Sequence, residues 1–81
     1  MTNNRISLLG IIVKEPSSVD KVNTLLHEYR SYIIGRMGVP HQEGNLSIIS
    51  VVLKCDQDKV SALSGKLGVI NGISAKVLYA N

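Results

Sequence analysis

Residues 6–14 read Ile-Ser-Leu-Leu-Gly-Ile-Ile-Val-Lys, and residues 46–54 read Leu-Ser-Ile-Ile-Ser-Val-Val-Leu-Lys, with the same class of residue at every place except Gly10 against Ser50. A second shared phrase follows each run: Asp20-Lys21-Val22 with Leu25 in the first half, and Asp58-Lys59-Val60 with Leu63 in the second. Each apolar run has the β-branched, near-continuous character of a strand covered on both faces, and each following phrase lies in a stretch of helical periodicity. The chain is therefore a pseudo-duplicate of one strand-then-helix unit. This constrains the fold far more than any single motif does.

The first run, Ile6 to Val13, predicts a central strand, and Glu15-Pro16-Ser17-Ser18 ends it. Ser17 with Asp20 three residues on resembles a capping box, which predicts a helix from there to about Ser31. Val19, Val22, Leu26 and Tyr29 recur at spacings of three and four with Leu25 beside them, while Lys21, Thr24, Glu28 and Arg30 fall on the other side. Tyr32 to Val39 predicts a second strand interrupted by Gly35 and Gly38, and residues 40–45 form a polar loop. Leu46 to Lys54 repeats the first strand. Asp56 is placed to cap a second helix that carries Val60, Leu63 and Leu67 inward and ends at Gly68 in the left-handed conformation. Asn71-Gly72 turns into a last strand, in which Ile73, Ala75, Val77 and Tyr79 alternate with Ser74, Lys76 and Leu78.

The order is βαββαβ, an α+β ferredoxin-like arrangement with two helices on one face of a four-stranded antiparallel sheet and the first and third strands central. Residues 1–81 make one such domain. Both faces of the central strands are apolar. Ile6, Leu8 and Ile12 point one way and Leu9, Ile11 and Val13 the other, while Ile48 and Val52 oppose Ile49, Val51 and Leu53. Only one set can meet the helices. If about five large side chains stay wet on the other face, each forfeits about 1.5–3 kcal/mol. A second subunit stacked on that face, or a sheet continued edge to edge, recovers much of it.

Size and composition point the same way. A chain of 81 residues buries only about 60% of the surface its unfolded form exposes. Yet 44% of this one is apolar, with no Phe or Trp. A homodimer or homotetramer is the expected state. No apolar run reaches the roughly 18 residues that a membrane helix needs, and the start lacks a signal-peptide pattern, so a soluble, cytoplasmic protein is expected. The single cysteine, Cys55, cannot form an internal disulfide. The net charge of +3 is scattered, with no block of like charges that would mark a nucleic-acid arm.

The residues that ferredoxin-like enzymes and carriers require are missing. There are no aromatics on the central strands for base stacking, and no Cys-x-x-Cys follows the first strand, where Lys14-Glu15-Pro16-Ser17 stands. No phosphate-cradling glycine pattern is present, and no serine is paired by position with a histidine and an aspartate. No catalytic residue, metal site or cofactor is expected. His27 reads as a solvated helix-surface histidine. His41, beside Glu43, offers an imidazole and a carboxylate to a divalent metal or an anion, and Cys55 could join them only from a neighbouring subunit. Arg36, between Gly35 and Gly38 in an apolar strand, is either an edge arginine ion-paired to Glu15, Glu28 or Glu43, or an anchor for a ligand that approaches the backbone at the glycines.

The segment Tyr32-Ile33-Ile34-Gly35-Arg36-Met37-Gly38-Val39-Pro40 is distinctive. Together with Arg5 to Val13, Leu46 to Val52 and Leu63-Ser64-Gly65-Lys66-Leu67-Gly68, it resembles the small proteins called iron-only hydrogenase system regulators. These are stand-alone domains similar in fold to the ACT-like C-terminal domain of the nickel-responsive repressor. In that repressor a ribbon-helix-helix segment binds DNA, and the ACT-like domain forms the oligomer and holds nickel through histidines and a cysteine. Here the first strand begins near Arg5, so no DNA-binding segment is expected before it, and the strands that would hold nickel offer no set of histidines. DNA binding is therefore not expected without a partner. The resemblance implies an oligomeric regulatory domain that binds a small effector or a protein. Effectors of ACT-like domains sit at subunit interfaces near strand-to-helix loops, which implies Gly10, Lys14 and Glu15, or Arg36 to His41, as effector-binding candidates. Two other functions fit the residues less fully: a metal sensor using His41, Glu43 and a neighbour's Cys55, and a direct transcriptional regulator.

Overall fold

The computed structural model of the chain describes residues 4–41, 44 and 46–80. The elements are β1 (Arg5–Val13), α1 (Val19–Glu28), β2 (Ile33–His41), β3 (Leu46–Cys55), α2 (Gln57–Gly68) and β4 (Ile73–Tyr79). The strands form one antiparallel sheet in the order β2-β3-β1-β4, so the two repeated runs are central and lie side by side. The duplication is visible in the register. Gly10 pairs with Ser50, its own counterpart in the repeat, and Leu9 with Val51 and Ile11 with Ile49 flank that pair. A pseudo-twofold axis therefore passes through the middle of the sheet at Gly10 and Ser50.

Both helices cover one face. Leu9, Ile11 and Val13 from β1 and Val51, Leu53 and Cys55 from β3 meet Val22 and Leu26 of α1 and Val60, Leu63 and Leu67 of α2, all buried. The predicted inward stripes of both helices are the observed ones. So is the alternation of β4, with Ile73 buried and Ser74, Lys76 and Leu78 exposed. Asp56 caps α2 as expected: its carboxylate accepts from the Lys59 backbone N–H at 3.0 Å and from Lys59 Nζ at 2.9 Å. That Lys59 side-chain bond, with the backbone bond, holds the Asp56 carboxyl below the ordinary aspartate value.

The first helix departs from expectation at both ends. No capping box joins Ser17 to Asp20. A 3-10 turn over Pro16–Ser18 precedes α1, and the Glu15 carboxylate accepts both the Ser17 N–H, at 3.4 Å, and the Ser17 hydroxyl, at 3.1 Å. Ser18 turns inward instead, and its hydroxyl donates to the Asn71 carbonyl at 2.7 Å. At the other end α1 stops at Glu28, and a second 3-10 turn spans Arg30–Tyr32. There Tyr29 and Tyr32 pack with ring centroids 6.3 Å apart and take Lys66 and Lys59 of α2 as neighbours, so the tightened turn ties the end of α1 to α2.

Two further boundaries moved. β2 extends to His41, past the predicted Val39, because Pro40 and His41 pair with Ser47 and Leu46 at a sheet edge, where proline is tolerated. A register shift between Ile33 and Gly35 leaves Ile34 on the outside. Gly68 does not adopt the left-handed conformation. Val69 closes α2 at φ −91° instead, and the left-handed residue of this connection is Gly72, at φ +76°.

Candidate functional site

The sheet face opposite the helices carries the grid that the double-sided strands predict. Direct cross-strand partners share a face, so the rows follow from the register. One row is Val39, Ile48, Ile12 and Ser74; the next is Met37, Ser50, Gly10 and Lys76; the third is Gly35, Val52, Leu8 and Leu78. Two apolar ridges thus flank a trough whose centre is the small pair Gly10 and Ser50, with Met37 and Lys76 standing at its ends. The ridges are open: Leu8 is 41% exposed, Ile12 37%, Ile48 38% and Leu78 68%. Around Leu8, Val52 and Leu78 the face dips into an apolar depression of about 260 Å³.

A second surface lies on the helix side, along the edge between α1 and β2. Arg36 pairs with Val51, so its side chain rises on the helix face, where its guanidinium donates to the Asn23 side-chain oxygen of α1. The glycine-flanked arginine is therefore tied to an uncharged partner, and among the described residues none of its expected carboxylates forms an ion pair with it. Glu43, one of those carboxylates, lies outside the described residues. Asn23, His27 and Arg30 follow one another at i, i+4 and i+7 along α1 and its C-terminal turn. With Arg36 they line a groove of about 300 Å³ floored by Leu26 and Ile33. The Arg30 guanidinium is braced by a 2.9 Å bond to the His27 carbonyl. Sequence reasoning treated His27 as an isolated surface histidine and Arg30 as part of a solvated face. The i, i+4, i+7 spacing was the signal that set them in one line, but only the position of β2 brings Arg36 opposite.

The sequence-derived candidates do not converge. Gly10 sits in the centre of the open face, and Arg36 rises from the other face. Lys14 and Glu15 follow β1 at the turn over Gly72, where the Lys14 N–H donates to the Gly72 carbonyl at 2.7 Å. His41 ends β2 opposite Leu46. Cys55 closes the far end of β3, about 30 Å from Leu46 at the usual strand rise. Its thiol is buried, and burial first, then the Asp56 carboxylate, push its pKa up against the opposing charge of Lys59. A thiol held protonated is a poor metal ligand. Among the described residues no group of three metal-ligating side chains occurs, and no helix is long and apolar enough to cross a membrane.

The βαββαβ order, the helix-covered face and the open face define an α+β domain of the ferredoxin-like class. Within that class the chain belongs to the TM1266-like family, described as "Iron-only hydrogenase system regulator, putative", which it matches over residues 5–77. It is similar to the uncharacterized protein TM1266 from Thermotoga maritima, at 40% identity and a TM-score of 0.93, over 98% of this chain and 100% of that one. The fold alone is shared with the C-terminal domain of the MgtC protein from Mycobacterium tuberculosis, at 14% identity and a TM-score of 0.72, covering 95% of this chain and 88% of that domain. It is shared too with part of a formyltetrahydrofolate deformylase from Pseudomonas putida, at 15% identity and a TM-score of 0.64, where 90% of this chain covers 28% of the other. No curated protein matches the sequence.

Proposed function

We propose that this chain is a homo-oligomeric, non-catalytic regulatory domain of the cytoplasm, whose subunits stack through the open sheet face and which responds to a small effector or a partner protein in the hydrogenase system named by its family. The observation that carries the reading is the bare apolar face. Soluble monomers rarely leave a contiguous apolar patch of more than a few hundred Å² uncovered. Four strands at about 4.8 Å spacing and about nine residues of 3.3 Å rise give roughly 570 Å² of face, or about 1,100 Å² for a pair, near the lower bound of stable interfaces. A second copy is the occupant that fits. The two ridges and the trough between them are related by the pseudo-twofold through Gly10 and Ser50, so a ridge of one subunit can lie in the trough of the other in an isologous pair. Lys54 and Lys76 reach the rim of the face, where their stems can stay against it while the ammonium groups remain wet.

Native mass spectrometry on gently purified protein tests this reading, since one spectrum reports subunit number and any retained small molecule. The expected result is a dimer or tetramer of the 8.8 kDa chain. A defined extra mass would identify the effector, and an oligomer without one would direct the reading toward a protein partner. A bare monomer at micromolar concentration would contradict it.

A further inference from the structure

We propose that the groove between α1 and β2 is a binding site for a small molecule with an oxyanion head, carboxylate or phosphate, and an apolar body. This deepens the effector part of the function proposed above by naming a site and a ligand class, and its basic compartment lies on the helix side of the sheet, away from the face proposed to pair.

Three features carry it. The first is charge without compensation: Arg36, Arg30 and His27 line one groove with Asn23, and among the described residues no carboxylate lines it. A guanidinium presents five N–H donors in a planar fork that matches the two oxygens of a carboxylate or phosphate. Arg30 and Arg36 each have one protein hydrogen bond among those described, both to neutral acceptors, so most of their donors remain for a ligand. The second is orientation. The Asn23 side-chain oxygen holds the Arg36 guanidinium from across the groove, and one turn along the same helix the His27 carbonyl holds that of Arg30, which removes much of the side-chain freedom that anion binding would otherwise cost. The third is the adjoining space. Asn23 and Arg36 also line a second depression of about 250 Å³ at the sheet edge, whose other walls include Val19, Pro40 and Ile49, with Val39 and Ile48 reaching it from the rim of the open face, again without a carboxylate among the described residues. Arg36 thus stands at the boundary between a basic compartment and an apolar one. Gly38 leaves the approach open there, with nothing within 4 Å of where its side chain would begin. A bare inorganic anion would use only the first compartment, whereas a ligand with a short apolar body would use both.

The test is a titration of the full chain by amide-resolved NMR with four probes: inorganic phosphate, acetate, phenyl phosphate and benzoate. Comparison of phenyl phosphate with benzoate distinguishes a phosphate head from a carboxylate head. Saturable shifts at Asn23, Arg30, Arg36 and Val39 are expected with at least one of the two aromatic probes, at an affinity about tenfold or more above its bare anion. Arg36→Gln and Arg30→Gln should each weaken that binding about tenfold, and the double variant should abolish it. Both side chains are exposed, so an unchanged amide spectrum away from the groove will show that the variants fold. Absence of saturable shifts from all four probes at about 20 mM, or unaltered shifts in the double variant, would overturn the site. Equal affinity for bare and aromatic anions would overturn the apolar compartment's part in it. An oligomer that binds none of the probes would remove this inference and leave the subunit pairing standing.

Discussion

Gly72→Ala is expected to lower the melting temperature by about 12–24 °C, because three costs coincide at one residue and sum to about 3 kcal/mol in a domain where each kcal/mol moves the midpoint by about 4–8 °C. Gly72 holds φ +76°, which costs an alanine about 1 kcal/mol or more. An added Cβ would overlap the Glu15 Cβ and lie 3.0 Å from the Glu15 backbone nitrogen, so the chain after β1 must move rather than a flexible side-chain tip. That movement strains the 2.7 Å bond from the Lys14 N–H to the Gly72 carbonyl, worth about 1 kcal/mol. Gly38→Ala is the control, since open space surrounds its position. Thermal melts followed by circular dichroism decide the matter, and a loss of under about 5 °C for Gly72→Ala would mean that Glu15 does not pack under this turn.

Leu8→Glu should dissociate the oligomer while leaving the subunit folded. Leu8 sits mid-face between Val52 and Leu78 and is 41% exposed in the single chain, so a glutamate there can reach water at small cost to the fold. In a face-to-face pair the same carboxylate is buried in both copies without a partner. A penalty of several kcal/mol per ion raises the dissociation constant about a thousandfold or more. Size exclusion with light scattering across a concentration series should find the variant at monomer mass where the wild type is not. Val69→Glu, at an 85% exposed position after α2, should keep the wild-type mass. A Leu8→Glu protein with wild-type mass would place the subunit contact elsewhere.

The fold was legible because the repeated runs specify it twice. Once Ile6 to Val13 reads as a strand with two apolar faces, its counterpart at Leu46 to Lys54 must lie beside it, and Val22, Leu26, Val60, Leu63 and Leu67 say which face the helices take. What failed was local chemistry with competing solutions. Ser17 and Asp20 have capping-box spacing, but Glu15 and Pro16 set up a tighter turn whose acceptor is the Glu15 carboxylate. Gly68 and Gly72 were equally able to be left-handed; Gly72 is the one at positive φ, and Glu15 occupies the space a side chain there would need. The α1–β2 groove was the least legible part. Arg36 stood out between its glycines, whereas Asn23, His27 and Arg30 looked like an ordinary wet helix surface. Their meeting with Arg36 in one groove depends on a β2 register that local periodicity does not encode.

The face itself can be observed directly through the relaxation that a soluble paramagnetic agent imposes on the isoleucine, leucine and valine methyl groups of the wild-type protein at high micromolar concentration. Leu9 and Ile11, buried in the core, set the protected limit, and Val69 sets the exposed one. A covered face predicts that Leu8, Ile12 and Ile48 relax like Leu9 and Ile11. Relaxation of those three in proportion to their exposure in the single chain would show the face bare in solution and contradict the central claim.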